Sequence, residues 1–118
     1  HWSVEPVSLP LDSVKAGKVL WERYRAGKKV DLQCLTVGDK ARILFMPGEL
    51  LVEYQLAAKK MRFRLFVAMA AYGDLGFGYI PPAAAFPQGG YEVEVAKVTP
   101  EAEKVLLNAI SNLLNDKH

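Results

Sequence analysis

Residues 28–46 constrain the fold of this chain more than any other stretch. Residues 28–37 (KKVDLQCLTV) alternate apolar and polar side chains, Gly38 and Asp39 supply a turn, and residues 41–46 (ARILFM) form an apolar run. Alternation with a period of two is typical of a strand that buries one face. The sequence therefore predicts a β-hairpin, so any fold of this chain contains an antiparallel strand pair.

The segment before the hairpin predicts one strand and one helix. Residues 3–11 (SVEPVSLPL) are rich in valine and leucine and contain two prolines, which suits an edge strand. Asp12 or Ser13 is then expected to cap a helix that runs to about Ala26, with Gly27 as its C-terminal stop. The apolar face of that helix would include Leu20, Trp21 and Tyr24.

The segment after the hairpin predicts a helix and a strand. Pro47 and Gly48 end the second hairpin strand, and a helix is expected from Glu49 to about Met61. Its apolar face would contain Leu50, Tyr54, Ala57 and Met61. Residues 64–72 (RLFVAMAAY) form an almost continuous apolar run, which is typical of a central strand covered on both faces.

The last third of the chain is a long loop followed by the clearest helix. Residues 72–92 (YGDLGFGYIPPAAAFPQGGYE) are dense in glycine and proline. Thr99 is the expected cap of the last helix, with Pro100 in its first turn. One apolar stripe would comprise Ala102, Val105, Leu106, Ala109, Ile110, Leu113 and Leu114.

This order of elements predicts an α/β fold. We expect one layered domain over residues 1–118, with a mixed sheet of about four to five strands, three main helices and at least one parallel crossover. A chain of 118 residues with 51% hydrophobic content can bury a substantial core.

Charge, cysteine and hydropathy exclude several classes of protein. The 15 lysines and arginines and the 13 aspartates and glutamates give a net charge of +2, and the basic residues are scattered, which disfavours a nucleic-acid partner. Cys34 lies in an apolar run and is interpreted as a buried structural thiol. No transmembrane segment or signal layout is visible, so a soluble protein is expected and its compartment stays open. The terminal residues His1 and His118 are given no role.

Two strand exits carry the candidate functional residues. Glu49 stands in FMPGE after one strand, and Asp74 and Tyr79 stand in the glycine-rich loop after the next strand, together with Tyr72. In sheets of this kind such exits meet at one rim, where ligands usually bind. Glu49 also has a structural explanation, because a carboxylate in the first turn of a helix is favoured by the helix dipole. The loop lacks the lysine and serine or threonine of a phosphate-binding loop, so it is a weak nucleotide signature.

Three motifs then resemble a known family. LFMPGELLVEY, GYIP and GGYE, with an apolar strand between the first two, are similar in order and spacing to the C-terminal part of the catalytic domain of neutral and alkaline non-lysosomal ceramidases and their bacterial relatives. The resemblance runs from about Val30 to the last helix. It implies that Glu49 and Tyr79 correspond to two ligands of a zinc ion that activates water to hydrolyse an amide bond. The two histidines and the active-site serine of the family belong to a preceding portion that has no counterpart here, and residues 59–66 (KKMRFRLF) match nothing in the family pattern.

Two hypotheses follow. The first is a small zinc-dependent hydrolase, or a hydrolase-derived domain, acting on an amide or ester bond of a small-molecule or lipid-like substrate. Glu49 would be a metal ligand, Tyr79 a second ligand or oxyanion stabiliser, and Asp74 a base or ligand. The second is a non-catalytic α/β interaction module, or a truncated fragment of a larger hydrolase. Because half of an enzyme domain would expose apolar surface, we also expect a homo-oligomer.

Overall fold

The computed structural model describes residues 1–71 and 77–115 of the chain. In chain order its elements are β1 (Trp2–Val7), α1 (Lys18–Arg25), β2 (Val30–Val37), β3 (Ala41–Met46), β4 (Glu49–Leu50), α2 (Val52–Met61), β5 (Phe66–Ala71), β6 (Tyr79–Ile80), a 3-10 helix (Ala83–Ala85), α3 (Tyr91–Glu94) and α4 (Ala102–Leu114).

The main sheet has the strand order β1-β2-β3-β5, and β4 pairs with β6 in a second, two-stranded sheet. The predicted hairpin is confirmed: β2 and β3 are antiparallel, with Val37 opposite Ala41 beside the turn. β1 is antiparallel to β2 at one edge, as its prolines predicted. β5 lies parallel to β3 and reaches that position through α2, so the predicted parallel crossover and the mixed α/β sheet are confirmed.

Helices α2 and α4 pack on one side of the sheet, which we call the inner face. Alternate strand residues point into this layer, and α4 contributes the stripe that its sequence predicted. The buried side chains of the core include Val7, Leu32, Cys34, Leu44, Met46, Val67, Leu106, Ala109, Ile110 and Leu114. Arg62, just after α2, donates a hydrogen bond of 2.7 Å to the carbonyl of Leu114, so it ties the turn after α2 to the C-terminal end of α4.

The opposite side of the main sheet, the outer face, is also apolar. The strand register places thirteen residues there: Trp2, Val4, Pro6, Asp31, Gln33, Leu35, Val37, Ala41, Ile43, Phe45, Phe66, Ala68 and Ala70. Trp2 and Phe45 contact across β2, with ring centroids 5.4 Å apart. Every residue of this face is exposed or half-buried, and Asp31 is the one with an ionisable side chain. The outer face is therefore an accessible apolar surface.

Two predicted helix starts were wrong. α1 begins at Lys18, because Asp12 instead closes a tight turn by accepting hydrogen bonds from the backbone N–H groups of Val14 and Lys15. α2 begins at Val52 and not at Glu49. The backbone N–H groups of Glu49 and Leu51 donate to the carbonyls of Gly78 and Ile80, a strand pairing that no local pattern could reveal.

Three further expectations need correction. β5 is an edge strand and not a central one, because no strand of the described residues pairs with its outer side. α4 begins at Ala102 without a side-chain cap, whereas Thr99 was the predicted cap. The long loop contains β6, the 3-10 helix and α3 within its described part.

No helix in residues 1–71 and 77–115 is long and apolar enough to cross a membrane.

Candidate functional site

Glu49 and Tyr79 are brought together by the pairing of β4 and β6. The two strands are parallel, and Glu49 is directly opposite Tyr79 while Leu50 is opposite Ile80. Neighbouring strands of a sheet lie about 4.8 Å apart, and the side chains of paired residues lie on the same face. β4 follows the carboxyl end of β3, and β5, parallel to β3, ends on the same side. The expected meeting of the two strand exits at one rim is therefore confirmed, at the level of the backbone.

A close backbone approach at Gly48 sets this pairing. A Cβ atom at Gly48 would lie 2.7 Å from the carbonyl oxygen of Gly78 and 3.1 Å from the Cβ of Phe77. The same carbonyl accepts the N–H of Glu49 at 2.8 Å. Gly78 has a φ of +65°, a conformation that costs other residues about 1–2 kcal/mol. Glycine is thus required in the PGE motif because there is no room for a Cβ atom, and it is favoured in the GYIP motif because φ is positive.

Tyr79 is held from its other side by Tyr91. Their rings meet edge to face, with centroids 6.1 Å apart and an interplanar angle of 77°, a favourable aromatic geometry. Tyr91 opens α3 directly after Gly89 and Gly90, which both have positive φ. The GGYE motif therefore orients the ring of Tyr79, whose side chain is half-buried, beside the exposed Glu49.

Tyr54 anchors the end of β6 on helix α2. Its buried hydroxyl donates a hydrogen bond of 3.1 Å to the carbonyl of Pro81. Burial, followed by the nearby carboxylates of Glu103 and Glu53, raises the pKa of Tyr54 above its ordinary value, so this phenol stays protonated. Glu103 of α4 also accepts the N–H of Ala83 at 3.2 Å. The segment after β6 is thus fixed to two helices.

The other residues considered from the sequence contribute no described ligand to this pair. Asp74 and Tyr72 lie outside the described residues. His1 lies at the far end of the sheet, because its carbonyl accepts the N–H of Thr36, and Thr36 is opposite Arg42 near the start of β3. Glu49 follows the other end of β3, and a six-residue strand is about 20 Å long. No three histidine, cysteine, aspartate or glutamate side chains of the described chain are grouped to hold a metal ion.

Comparison with known proteins identifies the fold. No protein-family model and no curated protein matches the sequence. A solved structure of a ceramidase complexed with C2 matches 73% of this chain, with a TM-score of 0.59 and 13% sequence identity. The neutral ceramidase from Pseudomonas aeruginosa matches 72% of it, with a TM-score of 0.50 and 15% identity. The fold is similar to part of a ceramidase.

This ceramidase-like fold spans 14% and 15% of the two solved chains. At such low identities the comparison establishes the shared fold alone.

Sequence reasoning did not assign roles to Gly48, Tyr91 and Tyr54. Gly48 acts on the site through its contact with Gly78, 30 positions away, and Tyr54 through its hydrogen bond to Pro81, 27 positions away. Tyr91 acts through its ring contact with Tyr79, 12 positions away. The sequence signal for Tyr91 was the paired glycine in GGYE, because glycine is the residue that adopts positive φ without steric cost.

Proposed function

We propose that this chain is a hydrolase-derived domain whose site is built on Glu49 and Tyr79 and which acts on an amide or ester bond. The observation that supports this most is the direct opposition of the two residues in a dedicated two-stranded sheet. Ile80 of this pair belongs to the buried core, whereas Glu49 is exposed and Tyr79 half-buried, and the pairing that holds these two accessible groups is maintained by two glycines and a buried tyrosine hydrogen bond. Such support is what a positioned pair of functional groups requires.

The donor chemistry of the pair suits part of a zinc site. A carboxylate and a phenol are both oxygen ligands, but zinc in proteins takes four ligands, or three and a water, with histidine or cysteine prominent. Glu49 and Tyr79 alone do not complete such a set, and no group of three histidine, cysteine, aspartate or glutamate side chains within residues 1–71 and 77–115 completes it. Zinc, if bound, would have Glu49 and Tyr79 as two of its ligands, and it would polarise a carbonyl or activate water. The remaining zinc ligands would come from outside the described residues or from another chain.

The substrate class proposed is a small molecule or a lipid-like molecule. The two solved neighbours are ceramidases, which supports an amide of a lipid as the first substrate to examine. In the absence of zinc, the phenol of Tyr79 could still donate a hydrogen bond to an oxyanion, and its edge-to-face contact with Tyr91 would hold it in place.

Metal binding and hydrolysis by matched variants test this proposal. Purified protein is titrated with zinc against a chromogenic chelator and assayed on activated ester, phosphoester and amide substrates. Glu49→Ala and Tyr79→Phe should each reduce zinc affinity or turnover by at least about tenfold. Glu22→Ala and Tyr24→Phe on α1 make the same chemical changes away from the site and should have no effect.

The outcomes separate the hypotheses. Absence of both zinc binding and mutation-sensitive turnover would leave the interaction-module hypothesis. Turnover that survives both substitutions would place the chemistry elsewhere in the protein.

The second candidate function, a non-catalytic interaction module, is favoured by the outer face of the sheet. Four strands spaced about 4.8 Å apart and about 20 Å long present on the order of 400 Å² in projection. An apolar surface of this size is comparable with the largest patch of a typical monomer, and such patches are commonly binding surfaces. The partner proposed for this face is a second copy of the chain, in a homo-oligomer.

A further inference from the structure

The segment KKMRFRLF, which the ceramidase resemblance leaves unexplained, forms one wall of an open apolar groove. The groove lies between the C-terminal half of α2 and the start of β5 and has a volume of about 540 Å³. Leu56, Phe63, Leu65 and Phe66 line it. Phe66 is opposite Ala41, at the start of β3, so the groove lies at the end of the sheet remote from Glu49 and Tyr79.

The apolar side chains of this groove are unusually exposed. Phe63 is 77% exposed, Phe66 67% and Leu56 52%. The Phe63 ring has the guanidinium carbon of Arg64 5.6 Å from its centroid, and Phe63 is absent from the buried core and from the residues packed against it. Two aromatic rings and a leucine exposed in one groove indicate a surface that binds an apolar partner.

Positive charge surrounds the same groove. Lys59 and Lys60 line it, and residues 59–64 (KKMRFR) contain four basic residues and no acidic one. Arg62 is occupied by the Leu114 carbonyl, but Lys59, Lys60 and Arg64 are exposed. No carboxylate within residues 1–71 and 77–115 forms an ion pair with these three side chains. The partner that fits is therefore both apolar and anionic.

We propose that this groove docks the protein on an anionic lipid bilayer. Phe63 and Leu56 would enter the boundary between headgroups and acyl chains, and Lys59, Lys60 and Arg64 would contact the phosphates. A cationic rim around an apolar centre is typical of surfaces that lie in the membrane interface. Leu56, Leu65 and Val67 line the groove beside the two phenylalanines, and such aliphatic side chains suit acyl chains better than bases, which stack on flat aromatic platforms. This inference is independent of any catalytic activity at Glu49 and Tyr79.

Vesicle co-sedimentation tests the proposal with the full chain. Vesicles of phosphatidylcholine alone are compared with vesicles that also contain phosphatidylglycerol, at low and high salt. The protein should sediment with the anionic vesicles. High salt should weaken binding, because dissolved ions screen the attraction between the lysines and the lipid phosphates. The double variant Lys59→Gln/Lys60→Gln should bind roughly 30-fold more weakly, and Phe63→Ser should bind at least about tenfold more weakly.

Matched controls exclude general effects of charge and hydrophobicity. Lys18→Gln/Lys104→Gln removes the same charge elsewhere, and Val14→Ser removes an apolar side chain that is 89% exposed; both should bind like the wild type. Circular dichroism should show that all variants are folded.

Four results would overturn the proposal. These are equal binding to neutral and anionic vesicles, no binding to either, wild-type binding by the Phe63 and lysine variants, and tighter binding of a labelled RNA oligonucleotide that depends on the same residues.

Discussion

At the scale of single residues, the absence of a Cβ atom at Gly48 allows the backbone contact on which the candidate site depends. Gly48 is buried, and the carbonyl of Gly78 occupies the space that a Cβ atom would need. The same carbonyl accepts the hydrogen bond that holds Glu49 opposite Tyr79. Position 48 is therefore the point at which backbone sterics control the geometry of the two functional side chains.

Gly48→Ala should destabilise the protein by about 1–3 kcal/mol, because the added methyl group forces the β4 and β6 backbones apart. Thermal unfolding measures the loss, and amide NMR shifts and hydrogen exchange of Glu49 and Tyr79 report the site. Gly38→Ala is the control. Gly38 has a positive φ but no atom within 4 Å of its would-be Cβ, so that variant should lose stability without changing the Glu49 and Tyr79 signals. Unchanged signals in Gly48→Ala would contradict this account.

At the scale of elements, the local patterns identified the hairpin and α4 but not the start of α2. The hairpin depends on alternation and a turn, and α4 on a stripe of period 3.6, which are both properties of adjacent residues. The start of α2 depends instead on Gly78 and Ile80. Their carbonyls accept hydrogen bonds from the N–H groups of Glu49 and Leu51 and so hold residues 49–50 in a strand pair. Tertiary pairing overrode the helix propensity of that segment.

The hydrogen bond from Tyr54 of α2 to Pro81 after β6 predicts how the free energy of unfolding depends on pH. At neutral pH, Tyr54→Phe should lower the free energy of unfolding by about 1–2 kcal/mol, because the Pro81 carbonyl loses its buried partner. The folded-state pKa of Tyr54 is raised by burial above the value of about 10 of an unfolded tyrosine. The folded state therefore holds this proton more tightly, and the resulting stability is complete below pH 10 and is lost as the pH rises further.

Urea unfolding of the wild type and Tyr54→Phe between pH 8 and pH 11.5 measures this effect. The difference in free energy of unfolding between the two proteins should be constant up to about pH 9.5 and should narrow above pH 10. A difference that stays constant to pH 11.5 would show that Tyr54 ionises as easily in the folded state as in the unfolded one.

At the scale of the whole molecule, the chain is a two-layer structure whose sheet has an apolar residue at most positions of both faces. Helices α2 and α4 cover the inner face, and the outer face carries the contacting pair Trp2 and Phe45. Two such faces can pack on each other, as the sheets of a β-sandwich do. Asp31 lies at one corner of the face, opposite Pro6 of β1, so repulsion between like charges does not prevent this contact.

Light scattering at micromolar concentration should therefore give twice the chain mass of 13.1 kDa. Val4→Lys should shift the protein to the monomer, because Val4 is 52% exposed and a lysine there is tolerated in the monomer but is unfavourable in an apolar interface. Val19→Lys, at a position 70% exposed on α1, should leave the mass unchanged. A monomeric wild type would contradict the predicted homo-oligomer.

The sequence by itself determined the α/β class, the hairpin, the parallel crossover, α4, and the two strand exits that carry Glu49 and Tyr79, because these depend on the periodicity and order of neighbouring residues. Only the tertiary structure decided that Glu49 belongs to a strand, that Tyr91 and Gly48 fix the geometry beside it, that β5 lies at an edge, and that the outer face is accessible. Those features depend on contacts between segments distant in sequence, where sterics, backbone hydrogen bonding and burial are settled by the packing of the whole chain.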